Sequence, residues 1–130
     1  MTWEGMDRRK FPRVIYPCMV KVLTTDASRA PVLAHTENIG IGGLCVTLRS
    51  DLKLFTPVET EVDLLDVDEH IKTQGKVVWS VRRKATESTK PMFYDIGVEF
   101  SEVSKSDYER LRKDLQMLID KGTQLSKPYL

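Results

Sequence analysis

The sequence predicts a mainly β domain, a closed antiparallel barrel carrying one C-terminal α-helix. Three observations lead there. Apolar residues alternate with period two as far as Phe100, the breaks between alternating segments carry turn chemistry, and the period turns helical after Phe100. Short strands joined by short connections favour closure, because a closed barrel leaves no edge strand exposed.

Each element can be read in order. Cys18, Val20 and Val22 share one strand face, with Met19 and Lys21 on the other. Leu44, Val46 and Leu48 alternate with Cys45 and Thr47, and Val62 and Leu64 with Glu61 and Asp63. Val77, Trp79 and Val81 alternate with Lys76, Val78 and Ser80, which places Trp79 in the barrel interior by period alone. Tyr94, Ile96, Val98 and Phe100 alternate with Asp95, Gly97 and Glu99, and Gly97 is expected to ease the barrel's curvature. "TTDASRAP", "NIGIGG", "FTPVE", "DVDEH" and "KATESTKP" supply the turns. From Ser104 onward, Tyr108, Leu111, Leu115, Leu118 and Ile119 fall on one helical face. Ser106 and Glu109 have the spacing of a capping box, and Gly122 suits the C-terminal stop. The simplest arrangement lays this helix on the barrel; an exposed docking or homodimerisation helix is the alternative.

The totals bound the function. A chain of 130 residues, 41% hydrophobic and 30% charged, fits one globular domain. Its net charge of +1 argues against a nucleic-acid-coating protein, so the basic residues must act locally. A barrel that binds single strands would need a basic groove with exposed aromatics, whereas the aromatics here fall mostly in the inward set. No apolar run is long enough to cross a bilayer, and "MTWEGMDRRK" lacks the apolar core of a signal peptide, so membrane insertion is not expected and a cytoplasmic location is. Cys18, Cys45, His35 and His70 are dispersed without metal-ligand spacing, which predicts two reduced cysteines and no metal. The acidic "DVDEH" reads as a solvated turn.

Two short motifs stand outside the core pattern. "DRRKFPR", residues 7–13, gathers Arg8, Arg9, Lys10 and Arg13 around Phe11 and Pro12. Alone, it reads as a solvated basic terminus. "ENIGIGGLCV", residues 37–46, sets Gly40, Gly42 and Gly43 beside Asn38 at the opening of a strand. Glycines there permit positive φ and let a ligand touch the backbone, although a plain tight hairpin turn would use them equally well. A phosphate-binding P-loop is not supported, since no GK[ST] follows and the flanks are strand on both sides.

Arg9 and Arg13 form R-x-x-x-R, while Asn38, Gly40 and Gly43 occupy the positions of N-x-G-x-x-G. With both motifs in order, the later "GKVVW" and "YDIGVEF" strands, and the helix, the chain resembles the PilZ family, bacterial receptors for the second messenger cyclic di-GMP. The likeness runs from about Arg8 to Phe100 and extends to the helix. It implies a single domain over 1–130, made of a mobile arginine arm (1–13), a six-stranded antiparallel barrel (14–100) and a C-terminal helix packed on it (104–122).

The resemblance implies a ligand site at Arg8, Arg9, Arg13, Asn38, Gly40 and Gly43, with Trp79 and Arg82 as further candidates. A guanidinium fork can bind phosphate oxygens in pairs, meet the guanine O6 and N7 edge, or stack on a base. Arg8, directly before the R-x-x-x-R pair, is associated in this family with two intercalated ligand molecules. Asn38 would face a guanine edge and Gly43 would allow close backbone approach. Trp79 more simply packs in the barrel, and Arg82 and Arg83 more simply end a strand in solvent. Gly40 departs from the family pattern, which prefers serine there. No cofactor and no catalysis are implied; the partners are cyclic di-GMP and a protein effector, with motility, exopolysaccharide production and virulence as the usual outputs. The alternative is an adaptor that has lost the nucleotide and only docks a protein.

Overall fold

The computed structural model describes residues 13–24, 31–64, 69–83 and 92–123. Arg8, Arg9 and the rest of the expected arm before Arg13 lie outside the described residues, as do most of "TTDASRAP" and all of "KATESTKP". The elements run β1 (Arg13–Val14), β2 (Met19–Thr24), β3 (Val32–Gly40), β4 (Gly43–Leu48), β5 (Pro57–Asp63), β6 (Ile71–Arg82), β7 (Tyr94–Val103) and α1 (Lys105–Asp120).

All pairings are antiparallel. Six strands close in the order β2-β5-β6-β7-β4-β3, with β3 returning to β2, and the two residues of β1 extend the β2 side of β3. The inward set is the one the period-two pattern marks: Val20, Val22, Leu44, Val46, Val62, Val77, Ile96 and Val98 are all buried. Thr60 and Thr73 also face inward and satisfy each other by a hydroxyl–hydroxyl bond, so burying them leaves no unpaired polar atom there. At the join of β1 and β2, the Thr36 hydroxyl accepts from Cys18 N at 3.0 Å and donates to the Tyr16 carbonyl at 2.7 Å. That single side chain pins the segment carrying Arg13 against β3.

Three register shifts interrupt the ladders; one, between Gln74 and Gly75, leaves Ser101 of β7 unpaired, and the other two set the outer wall. The register of β3 against β4 shifts between Thr36 and Asn38, leaving Glu37 as the extra residue. The broken alternation explains why β3 is missing from the strands legible in sequence. It also corrects the turn assigned to "NIGIGG": Asn38, Ile39 and Gly40 continue β3, and only Ile41 and Gly42 turn. Positive φ is not what the glycines supply; among the described residues, the glycine with positive φ is Gly122. The second bulge lies between Val77 and Trp79 in β6. Val77 pairs with Val98 in the core phase, but Trp79 pairs with Gly97, whose neighbours Ile96 and Val98 both point inward. Trp79 therefore lies on the outer wall, not in the interior. A Cβ on Gly97 would sit 2.3 Å from the indole Nε1, so this glycine provides a seat for the ring.

The barrel's last strand continues past Phe100 to Val103, so the helix begins from an extended residue. Its N-cap is Ser104, not Ser106: the Ser104 hydroxyl accepts from Asp107 N at 3.1 Å. Glu109, expected in the capping box, instead pairs with Arg112 at 2.9 Å. Ser104→Ala should cost about 1 kcal/mol of stability, measurable by denaturant titration, whereas Ser106→Ala should not. Leu111 and Leu115 enter the core with Leu118 and Ile119 packed beside them. The helix closes with a Schellman motif: Gly122 N bonds Ile119 O, and Thr123 N bonds Leu118 O, both at 3.0 Å. It packs on the barrel through contacts with β1 and β6.

Candidate ligand site

The arrangement on the outer wall follows from register. Arg13 pairs with Gly40 and Val14 with Ile39; since Val14 and Ile39 are buried inward, Arg13 projects outward. The same alternation sends Asn38 and its β4 partner Cys45 outward, then Gly97 opposite Cys45, then Trp79 opposite Gly97. One row across four strands therefore reads Asn38, Cys45, Gly97, Trp79. Arg13 lies at its β3 end: its Nη1 donates to the side-chain Oδ1 of Asn38 at 3.3 Å. A Cβ on Gly43 would sit 3.1 Å from Arg13 Nη2 and 2.2 Å from the Val98 carbonyl oxygen. Only hydrogen fits between the guanidinium and that stretch of backbone.

Thus Arg13, Asn38, Gly40 and Gly43 come together, and Trp79 closes the far side of the same wall. Arg8 and Arg9 lie outside the described residues. Arg82 is not on this wall. It pairs with Tyr94, in phase with the core, and its Nη1 lies 3.9 Å from Met92 Sδ. Arg83 takes the outward position instead, with Nε 2.9 Å from Asp95 Oδ1 and Nη2 3.2 Å from Glu37 Oε1. The Thr47 hydroxyl lies between the same two oxygens, 2.9 Å from Glu37 and 2.8 Å from Asp95.

Glu37, Thr47, Asp95 and Arg83 form a network that the sequence does not disclose, because it depends on the Glu37 bulge and on β4–β7 pairing between distant segments. Cys45 sits at the centre. Both cysteines are free and buried. Burial first, and the nearby Asp95 carboxylate second, push the Cys45 thiol up to about 12, against the lowering influence of Arg13 and Arg83. It is therefore a neutral, unreactive floor at physiological pH. Among the described residues no group of His, Cys, Asp and Glu is placed to hold a metal, and no helix is long and apolar enough to cross a membrane.

A hollow of about 810 Å³ lies elsewhere on the surface of β2, β5, β6 and β7, lined by Lys21, Glu59, Glu61, Lys72 and Gln74 among others. It contains none of the sequence-derived site residues.

The PilZ domain model matches residues 7–118, and the chain belongs to that family. No curated protein sequence matches it. Among solved structures, the chain is similar to the PilZ domain with c-di-GMP of YcgR from Escherichia coli (TM-score 0.67, 15% identity, covering 88% of this chain and 94% of that one). It is also similar to the Bacillus subtilis inhibitor of motility MotI/DgrA (TM-score 0.66, 18% identity, 88% and 52%). A third likeness is to the K. pneumonia MrkH–c-di-GMP complex (TM-score 0.72, 17% identity, 88% and 54%). At these identities the likeness is one of fold. The chain spans about half the length of the MotI/DgrA and MrkH chains.

Proposed function

We propose that this chain is a cyclic di-GMP receptor that binds the dinucleotide between its N-terminal arginines and the outer barrel wall. The observation that carries the reading is the meeting of Arg13, Asn38 and Gly43, two motifs 25 or more residues apart that converge on one patch. Family membership and the likeness to c-di-GMP-bound YcgR and MrkH support it.

The chemistry suits a ligand with two phosphodiester charges and two guanines. The Arg13 fork can take a phosphate or a guanine O6/N7 edge. Asn38 keeps one oxygen lone pair and its NH2 for a base edge. Gly43 lets the Arg13 guanidinium lie close against the β4 backbone, and the Trp79 indole is a ring on which a guanine can stack. Arg9, four residues before Arg13, adds a second fork from the arm. Arg8 adds a third, sufficient for a second, intercalated ligand molecule.

Ligand binding would bridge arm and barrel, and the population would shift toward a closed arm that presents a new surface to a protein effector. No step requires a nucleophile, a metal or turnover, and we infer a receptor rather than an enzyme. Calorimetric titration with cyclic di-GMP tests the reading. Saturable binding is expected, at two ligands per chain if Arg8 holds the second copy. Absence of binding would favour an adaptor that docks only protein, a reading to which the missing hydroxyl at Gly40 lends weight. For that reason Gly40→Ser is expected to tighten binding by up to about tenfold, the worth of one hydrogen bond. Unchanged affinity would show that a hydroxyl at this position does not reach the ligand.

A further inference from the structure

We propose that Arg83 is an electrostatic positioning residue: it holds Glu37 and Asp95 neutralised beside the ligand wall, so that an anionic ligand can settle there without itself contacting Arg83. The inference rests on the receptor reading above.

The geometry is a convergence of two carboxylates. Glu37 Oε1 and Asp95 Oδ1 both approach the Thr47 hydroxyl, at 2.9 and 2.8 Å. A hydroxyl has one proton and donates to one of them at a time. The other contact brings a second anionic oxygen to the same point with nothing from Thr47 to offset it. Arg83 supplies the offset by donating to Glu37 from Nη2 and to Asp95 from Nε. Its fork spans both acceptors at once, which the point charge of a lysine could not do with the same geometry.

The network adjoins the site. Glu37 precedes Asn38 in β3, Thr47 stands two residues beyond Cys45 on the same face of β4, and Asp95 two residues before Gly97 on β7. Arg13, Arg83, Glu37 and Asp95 are all close enough to act on the Cys45 thiol, which places them around one centre. With Arg83 present, these four charges cancel. Without it the three groups left, Arg13, Glu37 and Asp95, carry a net negative charge that opposes the approach of a dianion. The side chains are partly exposed (Arg83 49%, Glu37 47%, Asp95 28%), so the effect is a field over the wall, weakened by salt, rather than a buried pair.

The test is calorimetric and stopped-flow titration with cyclic di-GMP of the wild type, Arg83→Gln, and the triple variant Glu37→Gln/Asp95→Asn/Arg83→Gln. Each is measured at about 0.01 M and about 0.15 M salt, where the Debye length is roughly 30 Å and roughly 8 Å. Arg83→Gln should bind about tenfold more weakly at low salt, mainly through slower association, with a smaller deficit at high salt. The triple variant, lacking both the cation and the two anions, should recover to within about threefold of wild type. A triple variant as weak as Arg83→Gln would mean that Arg83 touches the ligand, and would overturn the proposal. So would an Arg83→Gln variant that binds like wild type. If the wild type binds no cyclic di-GMP, the receptor reading falls and this inference with it.

Discussion

Arg13→Ala should weaken cyclic di-GMP binding by about 2–5 kcal/mol, between roughly 30-fold and several thousandfold. The size follows from what is removed: the guanidinium that meets both Asn38 and the Gly43 backbone, and so the one described group joining the two motifs. Truncation leaves a ligand phosphate or guanine edge on the wall without its charged donor, and Asn38 cannot replace a cation. The fold should survive, because Arg13 is half-buried at the end of a two-residue strand while its neighbour Val14 carries the core contact. Arg13→Lys should recover only part of the loss, since the charge returns without the paired donors. Calorimetry on the two variants measures both effects. An Arg13→Ala protein that binds as tightly as wild type would remove the site from this wall altogether.

Gly43→Ala should be the most damaging small substitution, lowering stability by about 2–4 kcal/mol. The new Cβ would meet the Val98 carbonyl oxygen at 2.2 Å and its carbon at 3.2 Å, both backbone atoms of the adjacent strand. Neither can rotate away. To relieve the conflict, β4 and β7 must part where Gly43 faces Glu99 and where Phe100 N bonds Gly42 O at 2.9 Å. Thermal unfolding should fall by more than about 6 °C. Gly42→Ala provides the contrast: nothing lies within 4 Å of its Cβ, and its melting temperature should barely move. The same crowding puts Arg13 Nη2 3.1 Å from the Gly43 Cβ position, so any folded Gly43→Ala protein should also bind ligand poorly. If Gly43→Ala melted like wild type, the strand spacing assigned to this seam would be wrong.

Much of the fold was legible because its signals are local. The inward residues of β2, β4, β5 and β7 follow strict alternation, and the apolar face of α1 follows helical period with Leu111 and Leu115 buried as that period requires. β3 was hidden because Glu37 interrupts its alternation, and because Val32 and Leu33 are exposed where an ordinary strand pattern would bury one of them. The helix cap was misread by two residues. Ser104 and Ser106 are both three residues ahead of an acidic side chain, and only the extension of β7 to Val103 selects between them.

By itself, the sequence determined a barrel with one helix and the face each regular strand turns inward, whereas the candidate ligand residues from Arg8 to Gly43 are what the likeness to the PilZ family implies. The barrel, its inward faces and the helix depend on spacing along the chain, where periods of 2 and 3.6 residues are written directly. Only the tertiary structure decided that Trp79 lies outside on Gly97, that Arg83 rather than Arg82 reaches the wall, and that Glu37 and Asp95 share it. The reason is the pair of bulges at Glu37 and Val78, each of which inverts the phase of every residue beyond it. Whether a strand accepts an extra residue depends on the partner strand, and here those partners, Cys45 and Val46 for Glu37 and Gly97 and Val98 for Val78, lie outside the segment whose period is read.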